Sequence, residues 1–369
     1  MKTRLFHFLL LPALLFVLVR AGGPVAAQGG GPPAFTPASI RFDDLVYTVT
    51  VQGDRAYVGM ETGMAILDVK HPTAPRTMGQ VQAPALGIAV KDDYAYAIAT
   101  DEFRIVDVRN PYLPVKVAEK NFETVGSQYD VAVYGHYAYI GHSNGLAAID
   151  VSDPYSPTLT SNLRNILGTV VSVEVMKDPS GETERIYAYL GTGWDRGFVG
   201  DFGGGLRIVD VTDPSQMQEV FPCGIDSSCV QYAGGDVTVE GDYAYMACNT
   251  SDEEQGLHIY DIRKVDQLQE LAYERTEGPA WGVTVGTNRA HLLVAQGPNW
   301  LHSLDVANKN APRRTGRMEV EDASGRPVVS GQCLYLPQGA RGLTILCDTT
   351  ITPTPPPLVW LPLWVTPAG

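Results

Sequence analysis

Apolar and polar positions alternate in short runs along most of this chain, and the runs come in a fixed order. Each unit opens with a period-two stretch, as in Val49-Thr50-Val51, Ile88-Ala89-Val90, Val131-Ala132-Val133, Val237-Thr238-Val239 and Val283-Thr284-Val285. Period two over a few residues predicts a strand. A tight turn follows at Gly53-Asp54, Asp92-Asp93, Gly135-His136 and Gly241-Asp242, where Gly and Asp suit hairpin backbone angles. A second strand carries Ala-Tyr at Ala56-Tyr57, Ala95-Tyr96, Ala138-Tyr139, Ala188-Tyr189 and Ala244-Tyr245. The third strand is the most regular: Gly205-Leu206-Arg207-Ile208-Val209-Asp210-Val211, then a turn closed at Pro214. A fourth follows the proline, as at Val115 to Val117. No segment has convincing helical periodicity.

The third-strand aspartates stand at 68, 107, 150, 210, 261 and 305, and Cys347 takes the seventh place. Successive positions lie 39 to 60 residues apart. Four short strands in roughly forty residues is the size of a propeller blade. The third strand is apolar on both faces, with Leu206 and Ile208 on one and Val209 and Val211 on the other. Sheets covered on both sides fit blades stacked face to face. The expected fold is all-β, a β-propeller of seven four-stranded blades over residues 38–350. The seventh unit lacks a fourth strand after Cys347. Residues near Ala38 to Phe42 are expected to supply it, joining the ring's ends and covering an open edge. Residues 28–37 read as a flexible lead-in.

The run Gly205 to Pro214, with Ala188-Tyr189-Leu190 before it and the proline tails after Asp107 and Asp150, resembles the LVIVD-repeat family of bacterial exported and surface proteins. The resemblance covers about residues 46 to 348. It implies a propeller-like fold and brings no catalytic set with it. Ser303 and Cys347 depart from the family pattern in the last two units.

Charge and the chain's two ends narrow the setting. A net charge of −14 without any basic run argues against a nucleic-acid partner. Residues 1–27 read as a signal peptide: Lys2 and Arg4, an apolar Leu5 to Val19 broken by Pro12, then small residues at Val25-Ala26-Ala27. The apolar part is too short for an anchor. A secreted or cell-surface, monomeric protein with no transmembrane span in the mature chain is expected. Disulfides persist in that setting. Cys333 and Cys347 fall opposite one another if Tyr335 faces Ile345 across a hairpin, Cys223 and Cys229 close a short loop, and Cys248 is left as a buried thiol. Connectivity stays open on sequence alone. Residues 351–357 form a Pro/Thr linker, and 358–369 a short apolar tail. The tail is either a sorting or docking element or a strand packed on the propeller.

The recurrent aspartates look like a carboxylate ring, but an Asp serving every blade equally fits a turn cap that accepts backbone N–H bonds. The recurrent tyrosines fit packing with a hydrogen-bonded hydroxyl. Departures from the repeat are better candidates. The loop 191–205 of the fourth unit holds Trp194, Asp195, Phe198, Asp201 and Phe202, and long loops on rigid scaffolds often bind ligands. Insertions at Lys177 to Glu184 and Thr250 to Glu254 add carboxylates. These suit the oxygen chemistry of Ca²⁺, yet none has EF-hand spacing, and solvated surface is the simpler reading. No cofactor is implied. The residues just before each first strand are expected to line the ring's mouth: Tyr47, Leu86, Tyr129, Asp130, Ser172, Asp236, Trp281 and Arg326. Aromatic and acidic groups together suit a sugar, peptide or cation; ordinary channel lining with ordered water is the alternative. The histidines are scattered, His258 and His302 share one repeat position, and no G-x-S-x-G or HExxH occurs.

A non-enzymatic binding propeller for a cell-envelope protein or glycan is the leading expectation. A hydrolase or lyase working in the channel is the second, and a surface tether the third. Convergence of Asp130, Asp236 and Arg326 within hydrogen-bond reach in a deep cleft would favour the enzyme.

Overall fold

The computed structural model describes residues 35–122, 125–166, 168–193, 205–220, 234–248, 255–286, 289–295 and 299–348. These form seven four-stranded antiparallel sheets, with no helix among the described residues. Blade 3 shows the pattern: Gln128–Tyr134, Tyr137–His142, Gly145–Asp150 and Thr158–Arg164, each paired with the next in order. First strands of successive blades contact one another, so they lie nearest the axis. Seven separate apolar clusters fill the seven blade-to-blade interfaces. The two-faced third strand explains them. Leu206 and Ile208 pack toward blade 5, while Val209 and Val211 pack toward blade 3. Every blade is thus a wall of two cores, and stability comes from stacking.

The ring closes as expected, with shifted boundaries. Val328–Ser330, Cys333–Pro337 and Leu343–Asp348 form three strands of blade 7, and the N-terminal Phe35–Ile40 forms the fourth. Its register runs from Phe35 opposite Asp348 to Ile40 opposite Leu343. The strand therefore begins three residues inside the stretch read as a lead-in, because pairing extends to the end of the hairpin edge. Cys333 faces Cys347 and the two are disulfide-bonded. Cys248 is buried in the second strand of blade 5. The Val46 N–H donates to Gly339 O at 3.1 Å, and Ser324 Oγ donates to Val46 O at 2.6 Å, tying blade 1 to blade 7.

The recurrent aspartates are turn caps. Oδ1 of Asp68, Asp107, Asp150, Asp210, Asp261 and Asp305 accepts the backbone N–H two residues on, at 2.8 to 3.1 Å. The recurrent tyrosines are core residues: Tyr57, Tyr139, Tyr189 and Tyr245 are all at most 1% exposed. Their hydroxyls correct the expectation in part. Tyr139 donates to Val211 O, but the hydroxyls of Tyr189 and Tyr245 have no hydrogen-bond partner among the described residues. Ring packing outweighs that loss, which is of the order of 1–3 kcal/mol for a buried polar atom.

Candidate functional site

Inner strands enter the ring through β-bulges. Register shifts occur between Val46 and Thr48, Gln128 and Asp130, Val170 and Ser172, Gly234 and Val237, and Ala280 and Gly282. A bulge adds one residue and re-aims the side chain beside it. The backbones also come close there: a Cβ on Gly191 would lie 2.4 Å from Gly235 O of the next blade, so only glycine fits. The position that follows each bulge is Thr48, Asp130, Ser172, Asp236 and Gly282, with Gly87 and Arg326 at the matching points of blades 2 and 7.

Four of these seven come together. Arg326 reaches from blade 7 across the ring. Its Nη1 lies 3.2 Å from Asp236 Oδ1, 3.4 Å from Asp130 Oδ2, 3.4 Å from Ser172 Oγ and 3.9 Å from Glu174 Oε1. Asp130, Ser172 and Asp236 also stitch blades. The Val173 N–H donates to Asp130 Oδ2 at 2.9 Å, the Val237 N–H to Ser172 Oγ at 3.2 Å, and the Val283 N–H to Asp236 Oδ2 at 3.0 Å. Ser172 Oγ donates to Asp236 Oδ1 at 2.7 Å, and the Val131 N–H donates to Asp130 Oδ1 at 2.9 Å.

Glu174 joins them, although the sequence pattern does not single it out. It lies two residues past Ser172 and so on the same face of its strand. Thr50, Ala89, Ala132, Thr238, Thr284 and Val328 hold the matching place elsewhere. A lone charge at a position otherwise uncharged is the signal that could find it. Its contact with Arg326 is longer than those of Asp130 and Asp236.

Electrostatics separate the members. Burial pushes the Asp130 carboxyl up, against the pull of Arg326. Glu174 is pushed up to about 7, by burial first, with Asp130 and Asp236 adding to the rise and Arg326 opposing it. Arg326 is held above its ordinary value by Asp130 foremost. Arg326 and Glu174 keep side-chain accessibilities of 30% and 37%. That area faces the ring's interior, where walls on every side limit hydration, so burial still governs their ionisation.

The aromatic candidates fall elsewhere. Tyr47, Leu86, Tyr129 and Trp281 sit one residue before Thr48, Gly87, Asp130 and Gly282 and do not join the cluster. For Tyr47, Tyr129 and Trp281 the bulge is the reason: one extra residue flips which side chain faces the axis. Leu86 lies just before a strand that pairs without a register shift. Trp281 packs against the blade 6–7 core. Tyr47 and Leu86 line a groove between blades 1 and 2, and Tyr129 is 42% exposed. Trp194, Asp195, Asp201, Cys223 and Cys229 lie outside the described residues, as do residues 1–27, 250–254 and 351–369. The insertion at Lys177 to Glu184 is a turn closed by Asp178, which accepts hydrogen bonds from Ser180 and Thr183. Among the described residues, no group of three or more His, Cys, Asp or Glu is placed to hold a metal ion, which leaves the Ca²⁺ reading of the other two insertions untouched.

His258 and His302 do share one strand position, together with Arg104 and Arg207. Each is a buried base beside an acid: Glu270 at 2.9 Å, Glu277 at 3.8 Å, Glu119 at 3.7 Å and Glu219 at 3.4 Å respectively. The pattern recurs in four blades and reads as construction.

Seven radially stacked antiparallel sheets around an axis bridged by one arginine define a seven-bladed β-propeller. The LVIVD repeat matches five times, at residues 46–83, 84–119, 125–164, 197–224 and 233–263, and the chain belongs to that family. No curated protein matches the sequence. Solved structures share the fold at low identity. The computationally designed Ika8 protein is 9% identical, covering 88% of this chain and 100% of its own, with a TM-score of 0.56. The WD40 domain of Neurospora crassa Pan2 is 10% identical, covering 84% and 90%, with a TM-score of 0.56. A functionally unknown protein from Desulfotomaculum acetoxidans is 9% identical, covering 77% and 95%, with a TM-score of 0.54.

Proposed function

We propose that this chain is an exported, non-catalytic binding propeller that meets a cell-envelope protein or glycan at the mouth of its ring. One observation carries the reading. The oxygens of Asp130, Ser172 and Asp236 are committed to N–H groups of neighbouring blades and to Arg326. Groups so engaged hold a ring together and are poorly placed to move protons. Glu174 and the rim residues Tyr47, Leu86 and Tyr129 retain surface for a partner. The leader-like N-terminus and the Cys333–Cys347 disulfide support export. No helix among the described residues is long and apolar enough to cross a membrane.

A second reading, a hydrolase or lyase, has its own support. Asp130, Asp236 and Arg326 do converge, and Glu174 near neutrality has the ionisation of a general acid or base. Against it, Ser172 is locked between Asp236 and the Val237 N–H, so it is not a free nucleophile.

The test is direct. Immobilised chain is exposed to envelope proteins and to peptidoglycan fragments, as wild type and as Glu174→Lys. Retention of a partner by wild type alone, with no turnover of ester, peptide or glycoside probes, supports binding. Turnover lost in Glu174→Gln would replace it with the enzyme.

A further inference from the structure

A groove of about 530 Å³ opens between blades 1 and 2 at the rim where the inner strands begin. Tyr47, Met60, Pro84 and Leu86 give it apolar walls, and Glu61 and Asp101 stand at its edge. Leu86 is 39% exposed, a large apolar side chain with nothing over it. Both carboxylates are exposed and neither has an ion-pair partner among the described residues. Arg104 also lines the groove, but it does not neutralise them. Its side chain is only 6% accessible and is held by Glu102 and Glu119.

The edge is also built at a conformational cost. Thr100 and Asp101 form the two-residue turn between the paired Ala99 and Glu102. Thr100 has φ 57°, a left-handed angle that β-branched residues avoid. Its carbonyl accepts the Gln128 N–H of blade 3 at 2.8 Å, which pins the turn and fixes Asp101 at the groove. The matching turn of blade 3 leads into a glycine, Gly145, with φ 147°.

We propose that this groove binds an extended peptide segment carrying an apolar or aromatic side chain next to a lysine or arginine. The apolar side chain seats between Tyr47 and Leu86, and the cation meets Glu61 and Asp101. This deepens the binding reading above and rests on it. Volume and lining fit a ligand site of ordinary size. The choice of partner follows from charge: two unpaired carboxylates favour a cation over the neutral hydroxyls of a sugar, and a chain of net charge −14 steers cationic partners toward itself.

The experiment uses the full chain and two labelled peptides, Ac-Trp-Lys-Leu-Lys-amide and its counterpart Ac-Trp-Glu-Leu-Glu-amide, read by fluorescence anisotropy. Wild type should bind the cationic peptide at least tenfold more tightly than the acidic one. The double variant Glu61→Gln/Asp101→Asn should lose at least tenfold for the cationic peptide and most of its salt dependence, with an unchanged melting curve. Three results overturn the groove: no binding by wild type at millimolar peptide, equal binding by the double variant, or equal displacement by neutral chitotriose. Glu174→Gln separates this from the wider reading. Binding lost there but kept in the double variant moves the contact to the ring's centre. Binding lost in the double variant alone keeps the groove and removes the centre as a contact.

Discussion

The aspartates that end the third strands and the polar groups that begin the inner strands are both placed by the repeat, but they behave differently. The first set does one local job six times over, capping the turn two residues ahead. The second set is Thr, Gly, Asp, Ser, Asp, Gly and Arg around the ring. Its charged members and Ser172 meet at one point: Asp130, Ser172 and Asp236 stitch blades 3 to 6, and Arg326 ties blade 7 to them. A recurring residue is satisfied within its own blade, so its loss is a private matter. The polar members of the inner set draw most of their partners from other blades, so they depend on one another. Additivity should hold for the first set and fail for the second.

The sharpest way to break this contrast is Arg326→Met. Three carboxylates then face each other without their cation. Removing one partner of a buried ion pair costs about 3–5 kcal/mol. The lower end applies, because Arg326 keeps 30% of its side-chain surface. Urea unfolding at pH 7.5 should show about 3 kcal/mol lost, on that basis. Adding Glu174→Gln should restore part of it, since one repelling charge is gone. Strict additivity of the two changes would mean that the cluster is not a unit.

A third kind of position tests the rule from the other side. Blade 6 puts His291 opposite Ser303 where blades 1, 2, 4, 5 and 7 pair Tyr with Ile. His291 Nδ1 lies 3.1 Å from Ser303 Oγ, and a cavity of about 70 Å³ opens beside it. Burial lowers both His291 and His302 to about 4. Against an unfolded value near 6.5, each contributes stability above pH 6.5 that is lost as pH falls toward 4. The loss is on the order of 3 kcal/mol for each histidine and about twice that for both, since each tenfold change in proton affinity is worth about 1.4 kcal/mol. Glu174 acts in the opposite sense. Its raised carboxyl binds a proton more readily when folded, so its contribution falls as pH rises from about 4.5 to about 7. Melting temperatures between pH 4 and 7 should therefore show a shallower slope in His291→Tyr and a steeper one in Glu174→Gln. Parallel curves for all three proteins would remove these groups as the source.

How much of this can be read from the chain follows from the same contrast. The strand order, the seven-fold count, the two-faced third strand, the Asp caps and the Cys333–Cys347 pairing all follow from periodicity, which repetition makes audible. The mouth is half legible. Asp130, Ser172, Asp236 and Arg326 stand out because they are charged or polar where neighbours are not. Tyr47, Tyr129 and Trp281 fall one residue off because bulges leave no mark in an apolar pattern, and Leu86 falls just outside its strand. Glu174 hides inside a strand whose alternation looks ordinary. The tyrosine hydroxyls escape the pattern because the space between blades is set by neighbouring chains of residues, which a single repeat does not reveal.

The smallest expected effect is the one that tests the recurrent set itself. Asp107, Asp210, Asp261 and Asp305 also pair with arginines, so their substitution would mix two losses. Asp68 and Asp150 cap their turns through the N–H groups of Lys70 at 3.0 Å and Ser152 at 2.8 Å, with no arginine partner among the described residues. Replacing either with Ala removes one acceptor at a half-exposed turn, and water takes over part of its work. The expected cost is about 1 kcal/mol for each. Asn keeps the acceptor and should cost less than half of that. The Ser152 N–H also holds the Asp150 carboxyl below its ordinary value, so the cap's benefit is present above about pH 4 and fades below it. Because the two turns sit in blades separated by blade 2 and share no partner, the double variant should equal the sum within about 0.5 kcal/mol. A shortfall or excess beyond that would show that even identical caps are coupled through the ring, and the division between private and shared positions would have to be redrawn.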